Sequence, residues 1–392
     1  MVIVVFVTIG IIGPLMSFIY RPTRGLMVHK QRTLQSIKQD SELGILFCIH
    51  TPTNVPSMIK LLEVTHPTRR SPLCVYVLHL IELTGRASAM LIVHNTQKSA
   101  TYSTTVNQAD AQSYSIFNAF ENYQQLEPGC VTIQPLTAIS PYSSMHEDIC
   151  KLAEDKLVSF IILPFHKHQT VDGGMKSINP VFQTINQNIL ANAPCSVGIL
   201  VDRGIDCSFT RSDVTQQVSH YVVMLFLGGP DDRDGLAYAW RMSHHLDKFV
   251  TVLRFLPGPN VCRTNYMVHP AQELDNPKML TEMTDIEHER QLDDEYLNEF
   301  REKTTGNKSI TYMEKLVNNG DEIVTAIRSI SNIQDLYIVG RGQGMISPLT
   351  IGLVDWCECP ELGALGHLLA YSDFAASAAV LVVQQHVGLG VI

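Results

Sequence analysis

The sequence predicts an α/β chain in which one N-terminal transmembrane helix precedes two doubly wound parallel-sheet domains. Three observations predict it. Residues 2–20 hold no charged side chain and run into Arg21, Arg24, Lys30 and Arg32. From Glu42 onward, short apolar runs alternate with helical patterns. The same rhythm occurs twice, on either side of a polar stretch at 202–213. Strands buried on both faces and separated by helices favour a parallel sheet with helices above and below it.

The N-terminal element comes first. At about 1.5 Å per residue, a helix over 2–20 spans roughly 30 Å, the hydrocarbon thickness of a bilayer. Its basic flank lies on the C-terminal side, so the residues after Tyr20 are expected in the cytosol. A cleaved signal peptide carries its positive charge before the apolar run, and none is there. A buried core helix or a self-sufficient N-terminal anchor are the competing readings. Gly10, Gly13 and Pro14 suit a span packed against other helices, which points to further helices upstream. Residues 21–40 then read as a basic juxtamembrane linker.

The first α/β domain is expected over 41–205. Its strands start near Leu43, Leu73, Cys130, Leu157 and Cys195, and should pair in one sheet. Helices are expected over 55–65, with Met58, Leu61, Leu62 and Val64 on one side, and over 111–126, 146–156 and 179–192. The polar loop at 95–109 reads as disordered. The second domain is expected over 215–392, with strands at 220–227, 249–255, 310–317, 336–340 and 379–385. The loop 228–235 leads into a helix carrying Leu236, Ala239, Trp240 and Met242. Helical patterns follow at 282–303, 321–331 and 349–371. The acidic 282–303 stretch reads first as a solvated surface helix or a mobile insert, and second as a regulatory segment.

Composition excludes several functions. The net charge is -9 and no basic footprint lies beyond the juxtamembrane segment, so nucleic acid is not an expected partner. The nine cysteines are odd in number and sit mostly in apolar runs, which suits reduced thiols in a cytosolic domain. Cys357 and Cys359 form a lone C-x-C, too few ligands for a metal, so no metal site is expected. His166 and His168, and the pair His244 and His245, read as polar surface histidines; the sharper reading is proton sensing. Asp202 and Arg203 read as an ion pair or cap in the interdomain turn. No G-x-S-x-G, H-E-x-x-H or Walker pattern occurs, and no enzyme activity is expected.

Longer motifs carry a family resemblance. They are the basic exit at 20–22 and residues 31–35, 42–50, 54–68, 71–95, 193–204, 227–234 (LGGPDDRD) and 361–370 (ELGALGHLLA). Together they resemble the C-terminal region of plant cation/proton exchangers, the CHX branch of the monovalent cation:proton antiporters. The resemblance implies a polytopic carrier exchanging K⁺ or another monovalent cation for H⁺ in cation and pH homeostasis. It implies that residues 2–20 are the last membrane helix, that the rest is a cytosolic regulatory tail, and that the transport domain lies outside this chain. Residues 2–20 hold no Asp or Glu, so no transport residue carries over. The implied partners are the lipid bilayer, that membrane domain and a second copy of the tail, on a plasma membrane or endomembrane.

Each half is also similar to the universal-stress-protein fold, some members of which bind ATP. The resemblance points to Asp231 or Asp232 after the first strand of the second half, and to Gly340, Arg341, Gly342 and Gly344 after its fourth. Such a loop offers backbone N–H groups to a phosphate, with Arg341 as its counter-charge. Its spacing departs from the family pattern, and the other reading is a turn that needs glycine. No cofactor is required; ATP or AMP is the candidate ligand. The two functional readings are therefore a regulatory tail of an antiporter and a membrane-tethered nucleotide-binding module acting by itself.

Overall fold

The computed structural model describes residues 32–83, 90–94, 108–170, 174–203, 220–243, 248–259, 277–330, 334–342, 349–354, 357–372 and 378–386. The expected membrane helix at 2–20, the loop at 95–107 and His244–His245 lie outside these. Among the described residues no helix is long and apolar enough to cross a membrane. Residues from Arg32 onward form one compact unit.

The first half supplies strands β1 (Leu43–Ile49), β2 (Leu73–Glu82), β3 (Met90–Val93), β4 (Val131–Ser140), β5 (Phe160–Pro164) and β8 (Ser196–Val201). Between β5 and β8 lies a small antiparallel pair, β6 (Lys167–Gln169) and β7 (Met175–Ser177). Its helices are α1 (Val55–Thr65), α2 (Gln108–Leu126), α3 (Met145–Asp155) and α4 (Pro180–Asn192). The second half supplies β9 (His220–Phe226), β10 (Lys248–Pro257), β11 (Ile310–Val317), β12 (Leu336–Gly340) and β13 (Ala379–Gln384). Its helices are α5 (Pro230–Met242), α6 (Pro277–Thr304), α7 (Gly320–Arg328), α8 (Ile351–Val354) and α9 (Gly363–Tyr371).

All five expected strands of each half pair within a sheet, in the spatial order third, second, first, fourth, fifth. The halves do not keep separate sheets. Their fifth strands, β8 and β13, run antiparallel and join them into one eleven-stranded sheet, with Leu381 opposite Leu200 and Val383 opposite Gly198. The eleventh strand, β3, adds antiparallel to β4 at one edge and is absent from the sequence expectation. Its four residues give too short a run to separate from a loop, and Met90, Leu91 and Val93 are exposed.

Strand alternation makes two cores, one on each face of the sheet. Ile45, Phe47 and Ile49 face α1, α2, α5 and α6, whereas Leu46 and Cys48 face α3, α4, α7 and α9. Each core holds residues from both halves, so burial continues across the β8–β13 seam.

Two expected elements differ. The acidic helix α6 is not solvated all round: Asp293, Leu297 and Phe300 are buried, and Phe300 meets Trp240 edge-on with ring centroids 5.4 Å apart. The expected helix at 349–371 is broken. Pro360 opens a short 3-10 turn at Pro360–Leu362 and Gly363 adopts φ +64, so α8 and α9 are separate.

Candidate functional site

Asp231, Asp232, Arg233 and Asp234 open α5, and all four are buried. Burying a charge is costly unless it is paired or hydrogen-bonded, so their partners define the site. Gly228 (φ +125) and Gly229 (φ +96) turn the chain sharply from β9 into α5, and Pro230 starts the helix. A Cβ on Gly228 would lie 2.8 Å from the Asp293 carboxylate.

Asp232 accepts three backbone N–H bonds, from Leu227 (2.7 Å), Gly228 (2.8 Å) and Gly340 (2.8 Å). Asp231 accepts from Gly342 N–H (2.9 Å) and Gln385 N–H (2.8 Å). Arg233 points elsewhere, donating to Glu289 (2.7 Å) and to Asp293 on α6, and Asp293 in turn accepts from Gly229 N–H at 2.8 Å. Asp234 accepts from Leu34 N–H (3.3 Å), Gln35 N–H (2.9 Å), the Ser196 hydroxyl and the Gln385 side chain (3.0 Å). Four consecutive residues thus hold the β9–α5 turn, the loop after β12, helix α6, strand β8, the residue after β13 and the segment leading into β1.

Burial sets the electrostatics of this hub. It pushes Asp232 up to about 7, against the pull of its three amide donors and with help from Asp293. Burial raises Asp234 as well, opposed by Ser196, Gln385, Gln35 and Leu34. Burial would lower Arg233, but Glu289 and Asp293 hold it above its ordinary value.

The structure therefore brings Asp231, Asp232, Gly340, Arg341 and Gly342 together; Gly344 lies outside the described residues. The Gly340 and Gly342 amides, which a phosphate would use, donate to Asp232 and Asp231. The Arg341 guanidinium reaches Gln384 and the Pro360 carbonyl (3.2 Å). Close approach accounts for Gly340, whose Cβ would lie 2.3 Å from Asp232 Oδ1, and backbone conformation accounts for Gly342 at φ +73.

A second cluster joins residues the sequence leaves unconnected. His168 is exposed, but His166 is only 2% exposed, beyond the end of β5. Its Nδ1 lies 3.0 Å from Glu361 Oε1. Among the described residues, His166, Cys359 and Glu361 are the group whose ligand atoms all lie within 4.8 Å of one another. Gln183 donates to Glu361 Oε2 (3.2 Å), Tyr371 OH sits 3.5 Å from Cys359 Sγ, and Lys167 Nζ donates to Tyr371 OH (2.7 Å). Burial opposes the Cys359 thiolate, yet the His166 and Tyr371 hydrogen bonds bring the thiol below its ordinary value. Burial likewise pushes Tyr371 up to about 12. The sequence shows the histidines and the C-x-C, but not that β5 and the α8–α9 connection deliver them to one place. Nearby, Arg203 takes the capping role of its two expected readings, donating to the Leu369 (2.6 Å) and Ser372 carbonyls at the C-terminus of α9 and so tying the first half to the second.

The family-model match and the similarity to curated proteins agree on one family. Residues 75–205 match the plant cation/H(+) antiporter domain, and residues 219–384 match the plant cation/H(+) antiporter C-terminal domain. The chain is 57% identical to Cation/H(+) antiporter 15 of Arabidopsis thaliana over 99% of its own length and 46% of that protein. It is 44% identical to Cation/H(+) antiporter 23, chloroplastic, of the same plant, over 98% of this chain and 43% of that one. The chain thus spans a little under half the length of these relatives. A universal stress protein from Archaeoglobus fulgidus superposes with a TM-score of 0.40 at 10% identity, over 86% of this chain and 97% of that one. The two domain matches and the near full-length similarity to these relatives lead to one assignment: the chain belongs to the plant cation/H(+) antiporter family.

Proposed function

We propose that this chain is the cytosolic regulatory tail of a membrane exchanger that moves K⁺ or another monovalent cation against H⁺, in cation and pH homeostasis. The observation that carries this reading is the buried Asp234 carboxylate. It binds the backbone of the lead-in segment at Leu34 and Gln35 on one side, and β8 and the end of β13 on the other. A rearrangement at the seam of the two halves would bear directly on the lead-in segment at Leu34 and Gln35. In this reading residues 2–20 cross the membrane, 41–205 and 215–392 act as two domains, and the partners are the bilayer, the transport domain and a second tail.

Transport itself needs a site near the bilayer midplane, built from several helices with a titratable group. The tail then acts indirectly, by contacts that differ between two states of the transport domain. A nucleotide is not required: the amides of the glycine loop already hold Asp231 and Asp232, which supports a structural role for Gly340, Arg341 and Gly342.

The test is K⁺-dependent proton flux in proteoliposomes. The longer carrier should transport, this chain alone should not, and Asp234→Ala in the carrier should change the rate several-fold without abolishing insertion. Exchange by this chain alone, or flux indifferent to Asp234, would defeat the reading.

A further inference from the structure

We propose that His166, Cys359 and Glu361 form a binding site for a divalent transition-metal ion of the zinc class, placed between the two halves. The site goes beyond the regulatory reading and does not depend on it.

The donor set is the first argument. Imidazole nitrogen, thiolate sulfur and carboxylate oxygen are the three protein ligands of zinc. With a neutral imidazole the two anions balance the charge of the ion. The spacing is the second. Tetrahedral bonds of about 2.0–2.3 Å separate ligand atoms by roughly 3.3–3.8 Å. Here the imidazole nitrogen and carboxylate oxygen are 3.0 Å apart and all three donors lie within 4.8 Å, so small side-chain rotations suffice.

The third argument is enclosure. His166 Nδ1 and Glu361 Oε1 are buried and face one another as an ion pair at 3.0 Å. An ion coordinated by both would replace that contact and leave both polar atoms satisfied. The surroundings fit as well. Gln183 holds the other carboxylate oxygen, Oε2, and so orients Glu361 with Oε1 directed at the site, as an outer partner of a ligand should. Lys167 is the opposing charge. Its ammonium is engaged by Tyr371 (2.7 Å) and by the exposed carboxylate of Glu358 (3.7 Å), which can draw it away from the ion. Three protein ligands leave a fourth position for water.

His166 follows β5 in the first half, whereas Cys359 and Glu361 precede α9 in the second. A bound ion would therefore cross-link the halves on the face opposite α5.

Co²⁺ and Zn²⁺ titrations of the full chain, purified in detergent and stripped with a chelator, test the site. Wild type should take up one equivalent of Co²⁺ with a sulfur-to-cobalt charge-transfer band and tetrahedral visible bands, and Zn²⁺ should displace it. Cys359→Ser should remove the charge-transfer band, while Cys357→Ser should retain it. His166→Ala and Glu361→Gln should each weaken Zn²⁺ binding by at least about 100-fold, since outer partners alone are worth 10–100-fold. Independently of any variant, the unfolding midpoint of wild type should rise with Zn²⁺ concentration. No stoichiometric uptake by wild type, a midpoint indifferent to Zn²⁺, or a band that survives in Cys359→Ser overturns the proposal.

Discussion

Gly340 sits where the end of β12 meets the first turn of α5, and it has no space for a methyl group. A Cβ there would lie 2.3 Å from Asp232 Oδ1 and 2.8 Å from the Asp232 backbone nitrogen. Gly340→Ala should therefore lower the stability of the chain by about 1–3 kcal/mol, the usual range for overpacking a filled site. A denaturant midpoint equal to that of wild type would show that the Asp232 clamp yields freely. Asp335 offers a pH test. Burial would raise it, but its bonds from His220 and the Tyr221 amide (2.9 Å), together with the nearby charges of His220 and Lys60, hold it below 3.8. A depressed carboxyl means that the unfolded chain binds the proton more readily. The stabilisation is complete above the unfolded value and decays as pH falls from there through the folded value. Asp335→Asn should flatten the stability curve below about pH 4 and lower the plateau above it; an unchanged acid limb would refute the clamp. At this scale the sequence shows the right residues without their roles. The motif over 227–234 is conspicuous, but a carboxylate that binds a ligand and one that binds its own backbone look the same until the amides are located.

Elements were more legible than residues. The strands are Val-, Ile- and Leu-rich runs bounded by Pro, Gly and polar residues, and local chemistry is enough to mark them. Helix α6 was harder, because its acidic residues hide the spacing of Asp293, Leu297 and Phe300 that forms its buried face. The seam was illegible: β8 and β13 are buried all along, and nothing in their composition tells whether a neighbour is parallel or antiparallel. Gly198 marks that seam. A Cβ on it would approach the Phe160 ring to 2.7 Å and Leu381 Cδ1 to 3.0 Å. Gly198→Val should destabilise the chain by roughly 1–3 kcal/mol through overpacking, seen as a lower urea midpoint with an unchanged slope. A midpoint within error of wild type would mean that the seam has slack. A fall in slope would instead show that the halves come apart in separate steps.

At the scale of the whole unit, duplication and fusion are both present. Each half repeats one strand order, yet the two cores run uninterrupted past β8 and β13. Polar ties reinforce the join. Arg241 reaches the carbonyls of Ser41 and Pro72, and Tyr238 shares a hydrogen bond with Thr65 at 2.8 Å. Gln384 donates to the Leu190 carbonyl at 2.8 Å.

Arg32 bridges to Cys195 just ahead of β8, and β8 is the sixth of the eleven strands. The chain thus meets the sheet at its midline. Strands spaced about 4.8 Å apart put each outer edge roughly 24 Å from that line. Tilting such a sheet by about 5° carries its edges some 2 Å in opposite directions, comparable with the shifts that proteins use to switch. A sheet held at its central strand would turn a load on either rim, at β3 or β11, into torque at Arg32.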